Sequence, residues 1–325
     1  MRDGFDIANN RKFDKDDIFE LPKKHQNQFG LISYFINETF FRISDRILHV
    51  TNIKDYENPY TKVMELNTTS RGKDEERLLE VMDFVSTTDV PFFASVHMRN
   101  THGSKFKYRK QVFSREWPKA KHWQKEFYDD AILTYDQYVE ELVTLLKKEK
   151  KWDNTIFIIS SDHGMAWSTK EPIPLIIHFP KGAHAGKVTA NSQRIDIAPT
   201  LLDYLGVESP DWFEGVSLLG EERNNPRIVF AADRANSTGK NGWRVVKNPK
   251  APFFTLGSLV LINCDQHFQY MIKQKTLSQK SIRAHTAPCK DTGRISKKTA
   301  KKLIVEHLIK RKYDVSSIPF RKLAK

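Results

Sequence analysis

Residues 153–164 are Asp153-Asn154-Thr155-Ile156-Phe157-Ile158-Ile159-Ser160-Ser161-Asp162-His163-Gly164. The continuous β-branched and aromatic run inside this stretch predicts a buried strand of a parallel sheet that is covered on both faces. Asp162 and His163 then lie at the carboxyl end of that strand, where open α/β sheets bind ligands. A carboxylate beside an imidazole suits a divalent cation. An alternative also fits these residues: Asp162 caps the next segment, and His163 is an ordinary loop histidine.

The segments on either side of this stretch indicate the class of fold. Apolar spacing predicts an amphipathic helix over residues 128–150, a strand over 174–180 and a helix over 194–206 that contains Asp-Ile-Ala-Pro-Thr-Leu-Leu-Asp. This order of elements resembles the sulfatase family of the alkaline phosphatase superfamily, which also includes phosphoglycerol and phosphoethanolamine transferases. The resemblance implies an α/β fold with a central, mostly parallel sheet covered by helices on both faces. A small antiparallel C-terminal subdomain would follow this sheet.

Three parts are expected along the chain. Residues 1–220 would form a sulfatase-like α/β domain that lacks its N-terminal segment, residues 221–270 the small subdomain, and residues 271–325 a basic tail. The tail holds 16 Lys and Arg against three acidic residues, an excess equal to the net charge of +13 of the whole chain. Residues 297–313 have the pattern of a basic amphipathic helix. This helix either binds an anionic membrane surface or docks on its own domain with its basic face in solvent.

Composition excludes several other classes of protein. With 39% hydrophobic and 29% charged residues, the sequence is typical of a globular protein and not of a disordered one. No apolar run approaches the ~18 residues that a membrane span needs, and the polar residues after Met1 indicate no signal peptide. An extracytoplasmic or membrane-associated location is implied by the family resemblance alone. Cys264 and Cys289 are the only cysteines, and they either pair or are two unrelated thiols.

A basic loop is predicted between the strand at 91–97 and the helix at 128–150. Residues 105–125 carry several Lys and Arg together with Trp117 and Trp123. The spacings typical of nucleic-acid-binding modules are missing, so no specific nucleic acid is expected as a partner. The loop is interpreted as a lid or a substrate-facing segment, with ordinary surface as the alternative.

The resemblance assigns roles to four side chains. His102 aligns with a family histidine that contacts the sulfate or phosphate, and Asp162 and His163 with ligands of a divalent cation, Ca²⁺, Mn²⁺, Mg²⁺ or Zn²⁺. Lys170 aligns with an anion-binding lysine of the family. We expect Asp162 and His163 to lie within about 5 Å of each other, with His102 on the same rim of the cleft. Asp196 is expected to cap or fix its helix.

The resemblance also implies a nucleophile, a Cys, Ser or Thr at a helix N-terminus, followed by Pro and Arg two and four positions later. Neither cysteine begins this pattern, because Cys264 leads into Asp-Gln-His and Cys289 into Lys-Asp-Thr. We therefore expect the carboxyl two-thirds of such an enzyme, with half a metal site and no recognisable nucleophile. The function predicted is that of a metal-dependent hydrolase or transferase of sulfate or phosphate esters. The alternative is a non-catalytic relative that binds anionic surfaces through its basic tail.

Overall fold

The computed structural model describes most of the chain from residue 62 onward, in two compact units that divide between Ala185 and Gly186. The helix predicted for residues 30–50 lies outside the described residues. The ranges described are 62–64, 74–89, 92–94, 96, 98–102, 106–116, 124–165, 168–209, 213–220, 227–234, 236–239, 242–245, 253, 256–282, 293–311 and 313–324.

The first unit is built on two helices that pack through their apolar stripes. Apolar residues that recur at intervals of three and four place one side of each helix against the other. Helix α1 contributes Leu78, Val81, Phe84 and Val85, and helix α2 contributes Tyr138, Leu142 and Leu146, all buried. In chain order the elements are β1 (Lys62–Met64), α1 (Asp74–Thr87), β2 (Phe92–Ala94), α2 (Lys125–Lys148), β3 (Phe157–Ser160) and β4 (Leu175–His178).

Strand pairing in this unit only partly follows the prediction. β1 and β2 are parallel, with Lys62 opposite Phe92. β3 pairs with β4 in the antiparallel sense, with Phe157 opposite His178, which corrects the parallel arrangement predicted for these two strands. The described residues of the connection 161–174 include no helix, and parallel neighbours need a longer crossover that usually carries one. A wider, mostly parallel central sheet stays a prediction.

The second unit is an antiparallel sheet covered by a helix, as predicted for the C-terminal subdomain. Its strands follow the order β10-β9-β8-β5, and each neighbouring pair is antiparallel. Cys264, in the turn between β8 and β9, is disulfide-bonded, and the sequence has one other cysteine, Cys289. The elements are α3 (Ile197–Tyr204), β5 (Ile228–Arg234), β6 (Asn236–Gly239), β7 (Gly242–Val245), β8 (Leu256–Asn263), β9 (Gln266–Met271), β10 (Thr276–Ser281) and α4 (Lys297–Lys310).

The residues predicted to be a basic tail are part of this unit. β10 is an edge strand of the sheet, and the apolar face of α4 lies in the same core cluster as the strands beneath it. The core members are Ala300, Ile304, Val305 and Leu308 of α4, Leu259 and Leu261 of β8, Phe268 and Tyr270 of β9, and Ile318. Of the two alternatives given for residues 297–313, the structure shows the docked helix, because burial of this apolar surface holds the segment on the sheet. Among the described residues, none of the helices has the length and apolar character needed to cross a membrane.

His307 makes the stability of this core dependent on pH. Its ring stacks on Phe230 with centroids 3.9 Å apart, and burial, with Arg311 and Lys310 nearby, lowers its pKa from 6.5 to about 3. Between these two pH values the unfolded chain therefore binds a proton at His307 that the folded chain does not bind. The free energy of unfolding falls as the pH falls through this range. We expect His307→Phe, which keeps the stacking, to flatten the pH dependence of urea unfolding between about pH 3 and 6.5. The exposed His184, changed to Phe, serves as control, and an unchanged slope in His307→Phe would contradict the prediction.

Candidate functional site

The loop that follows β3 holds His163 in one orientation. The Ser161 hydroxyl donates to the carbonyl oxygen of His163 at 2.6 Å, and the His163 N–H donates to Asp162 Oδ1 at 3.0 Å. His163 Nδ1 lies 2.8 Å from the carbonyl oxygen of Gly164. Because a carbonyl only accepts, Nδ1 carries the proton, and Nε2 keeps its lone pair for a ligand.

The side chains of Asp162 and His163 lie close together. His163 Nε2 and Asp162 Oδ2 are 3.5 Å apart, which confirms the distance predicted for the pair. Two atoms that bind the same ion at ~2.0–2.6 Å have a separation of this order. The Asp162 side chain is 53% exposed and that of His163 is 22% exposed, but His163 Nε2 itself is buried.

His102 lies beside this pair, as predicted. Its ring meets the ring of His163 edge to face, with centroids 5.6 Å apart and planes at 72°. The backbone N–H of His102 donates to the carbonyl oxygen of Arg99 at 2.9 Å, which closes a turn just before the histidine. The structure thus brings three of the four predicted site residues together at the ends of β2 and β3.

Lys170, the fourth predicted residue, lies in the connection between β3 and β4. Its backbone N–H donates to Ser168 Oγ at 3.2 Å, and the N–H of Glu171 donates to the Ser168 carbonyl at 3.0 Å. These backbone contacts fix a turn, and they do not involve the ammonium group of Lys170. The role of Lys170 in binding an anion stays a prediction.

Glu171 is a neighbour of the loop that the sequence analysis missed. A Cβ at position 164 would lie 2.5 Å from Glu171 Oε2, so the carboxylate packs directly on the backbone of Gly164. The φ of Gly164 is not positive, so the backbone conformation does not require glycine. Glycine is required for space, because a Cβ would collide with Glu171. Even with this carboxylate nearby, no group of three or more His, Cys, Asp or Glu among the described residues could hold a metal ion. The role of Asp162 and His163 as metal ligands stays a prediction.

Part of the predicted basic loop is held firmly on α2, and residues 117–123 lie outside the described ranges. The buried carboxylate of Asp130 accepts backbone N–H groups of Val112 and Phe113, each at 2.8 Å, and of Ser114 at 3.2 Å. Burial alone raises the pKa of Asp130, but the hydrogen bonds from the Ser114 hydroxyl and these backbone groups leave it lowered. This part of the loop is thus fixed to the helix. Its role as a lid or substrate-facing segment stays a prediction.

A correction applies to the expected absence of the nucleophile spacing. Ser317, Pro319 and Arg321 have the Ser-x-Pro-x-Arg spacing, which the sequence analysis overlooked. Ser317 is exposed in a turn after α4, in the second unit, and Arg321 begins a short 3₁₀ helix. The serine therefore follows a helix and does not lie at the junction of a first strand and a helix N-terminus. The spacing is present, but the structural context of the family nucleophile is not.

Known proteins resemble the chain in sequence. The family model described as Sulfatase matches residues 20–207, more than half of the chain. An N-acetylglucosamine-6-O-sulfatase of Bacteroides thetaiotaomicron is 37% identical over 101 residues, which are 27% of this chain and 18% of that relative. Lipoteichoic acid synthase 2 of Bacillus subtilis is 24% identical over 199 residues, 52% of this chain and 29% of the relative.

A solved structure adds a comparison of fold. The phosphonate monoester hydrolase of Agrobacterium radiobacter superposes with a TM-score of 0.47 at 15% identity, over 87% of this chain and 68% of that one. The chain matches less than a third of the length of the two curated relatives named above.

Proposed function

Because the chain belongs to the sulfatase family, we propose that it carries part of the active site of a metal-dependent hydrolase or transferase of sulfate or phosphate esters. The observation that supports this proposal is the arrangement after β3. His163 Nε2 keeps its lone pair, Asp162 Oδ2 lies 3.5 Å from it, and His102 contacts the same imidazole. These are donor types that suit Ca²⁺, Mn²⁺, Mg²⁺ or Zn²⁺.

Each of the three residues has a defined part in the proposed chemistry. Asp162 and His163 would hold a divalent cation, which screens the charge of the ester and polarises the nucleophile. His102 in its protonated form would donate to a non-bridging oxygen or give a proton to the leaving oxygen. Lys170 would add a compact positive charge for the anionic group. The substrate would be a sulfate or phosphate ester.

We propose further that this chain holds an incomplete catalytic domain. Two neighbouring ligands leave most positions around a cation to water, so they bind it weakly by themselves. The remaining ligands and the nucleophile would be supplied by a segment other than these 325 residues. By family resemblance, the site would work in an extracytoplasmic or membrane-associated location.

Binding of Mn²⁺ tests the proposed ligands without requiring turnover. We expect Mn²⁺ to broaden the ring NMR signals of His163 and His102 first, because its paramagnetism acts over short distances. His163→Gln and Asp162→Asn should each weaken binding at least about tenfold, as loss of even an outer-shell partner of a metal does. Asp153→Asn and His184→Gln, at exposed positions of the same unit, are the matched controls. If Mn²⁺ broadens the ring signal of His102 equally in His163→Gln and in the controls, the proposal that His163 binds the cation is wrong.

A second candidate function is binding of an anionic membrane surface through residues 297–313. Lys297, Lys298, Lys302 and Lys310 are exposed on α4, whereas Ala300, Ile304, Val305 and Leu308 are buried in the core. The helix could therefore attract anionic lipid but not insert its apolar face while it stays docked. This role also belongs to the alternative of a non-catalytic relative that uses its basic segment.

Sedimentation with phosphatidylserine vesicles tests this second candidate. We expect retention at low salt that is lost at high salt, because exposed charges are screened. Changing the four exposed lysines of α4 to Gln should abolish retention, and changing Lys107, Lys110, Lys148 and Lys181 of the other unit should not. Substitution is cleaner than truncation, since removal of α4 would uncover the apolar face of the sheet. Equal retention of both variants and the unaltered chain would exclude a membrane role for α4.

A further inference from the structure

The position of His102 is fixed by the first residue of a distant helix. We propose that Asp74 is a positioning residue for His102 and acts through the backbone of Arg99 and Asn100. The proposal rests on the site role proposed above for His102. It assigns a function to the buried carboxylate that begins α1.

Asp74 is a buried charge whose hydrogen bonds run to the loop after β2. The residue is 2% exposed. Its Oδ2 accepts the backbone N–H of Arg99 and that of Asn100, both at 2.7 Å, across 25 and 26 residues of sequence. Its Oδ1 pairs with the guanidinium of Arg77 at 2.8 Å, and that side chain is also buried. One carboxylate thus satisfies two loop N–H groups and one buried cation.

Further bonds hold the same loop from other sides. The carbonyl oxygen of Asn100 accepts the N–H of Lys107 at 3.1 Å. The side-chain amide of Asn100 donates to the Tyr138 hydroxyl at 3.2 Å. The Tyr138 hydroxyl donates in turn to Glu75 Oε1 at 3.0 Å. The bonds from Asp74 and Glu75 come from the first two residues of α1, so the start of this helix serves as the platform for the loop.

The path from Asp74 to the site is short. His102 closes its turn on the carbonyl oxygen of Arg99, the residue whose N–H Asp74 accepts. Loss of that acceptor leaves the N–H groups of Arg99 and Asn100 without this partner, and the loop can regain hydrogen bonds only by moving toward water. Such a movement would separate the ring of His102 from that of His163. The contact between the two rings is therefore the readout that a merely stabilising Asp74 would not change.

The experiment compares variants that separate the loop bonds from the ion pair. Asp74→Ala alone would leave Arg77 as an unpaired buried cation, so it is combined with Arg77→Leu. Arg77→Leu alone is the matched control, because it removes the ion pair and keeps Asp74 on the loop. Asp83→Ala, at an exposed position of α1, controls for any change in the helix. Each variant is labelled for histidine NMR, and its fold is checked by the amide spectrum.

We expect the cross-relaxation signal between the His102 and His163 rings in the unaltered chain, in Arg77→Leu and in Asp83→Ala. The signal should be lost in the double variant Asp74→Ala, Arg77→Leu. In that variant the amide hydrogens of Arg99 and Asn100 should exchange with solvent at least about tenfold faster, because each loses a hydrogen bond to a charged group. A signal that persists in the double variant would overturn the role of Asp74 and leave the proposed function intact. Its absence from the unaltered chain would overturn the site geometry and both proposals with it. If the double variant does not fold, Asp74→Asn replaces it: the weaker neutral acceptor should weaken the signal and speed the two amides, and unchanged values would overturn the role.

Discussion

The 325 residues alone are expected to hydrolyse neither aryl sulfate nor aryl phosphate esters above background, whether Mn²⁺, Mg²⁺, Ca²⁺ or Zn²⁺ is supplied. Catalysis of the proposed kind needs a covalent nucleophile and a cation held in fixed geometry. The described residues bring together Asp162, His163 and His102, and no nucleophile of the expected structural context. Supplying a segment that bears such a nucleophile and further acidic ligands should produce turnover. His163→Ala should then abolish it.

Release of a chromogenic phenol measures the activity of the 325 residues alone and the activity after the segment is supplied. Lys181→Ala, at an exposed position of the same unit, is the control that should keep the restored activity. Turnover by the 325 residues alone that disappears in His163→Ala would contradict the proposal of an incomplete domain. Ser317→Ala would then test whether the serine of the Ser-x-Pro-x-Arg sequence in the second unit is the nucleophile.

Removal of the guanidinium of Arg227 is expected to cost about 3–5 kcal/mol of unfolding free energy, the usual cost of breaking a buried ion pair. Asp196 is fully buried, and Arg227 pairs with both of its oxygens, at 2.6 and 2.9 Å. The same carboxylate accepts backbone N–H groups of Gln193 at 2.7 Å and Val216 at 3.0 Å. Arg227→Leu would leave this carboxylate buried without its countercharge. Urea unfolding followed by circular dichroism measures the loss.

Two further variants show whether the charge is the cause. Arg294 pairs with Asp265 at 3.0 Å, but its side chain is 47% exposed, so Arg294→Leu should cost no more than about 1 kcal/mol. Asp196→Asn added to Arg227→Leu should recover part of the loss, because the buried group is then neutral. A cost for Arg227→Leu no larger than that for Arg294→Leu would show that the pair does not hold this unit together.

Features set by near neighbours in sequence were predictable. The apolar run at 156–159 overlaps β3 (Phe157–Ser160), although its residues are half-buried rather than buried, and the pair that follows it is oriented by bonds to adjacent residues. Asp196 was expected to cap its helix, and it forms a capping box with Gln193 three positions away. The apolar spacing of 297–313 predicted the helix α4. In each case the interaction lies within a few residues, so the sequence alone carries the signal.

Features that depend on distant partners were not predictable. The direction of the β3 and β4 pairing depends on the path between them, and residues 161–174 do not reveal that path. Asp74 and the loop it binds are 25 residues apart, and a carboxylate at a helix start is equally typical of dipole stabilisation. Glu171 meets Gly164 only because two turns of the same connection come together. The partner of α4 was left open for the same reason, since an amphipathic pattern does not say what covers it.

The docking of α4 on the sheet has a consequence for the order of events during synthesis. Ile318 is fully buried in the cluster that joins α4 to β8 and β9, and Phe320 meets the ring of Tyr270 at 5.0 Å. The strands leave the ribosome well before these residues, so one apolar face of the sheet waits uncovered while the later part of the chain is translated. This unit closes only after residue 320 has emerged. Its exposure to chaperones and to aggregation therefore lasts until these residues have emerged.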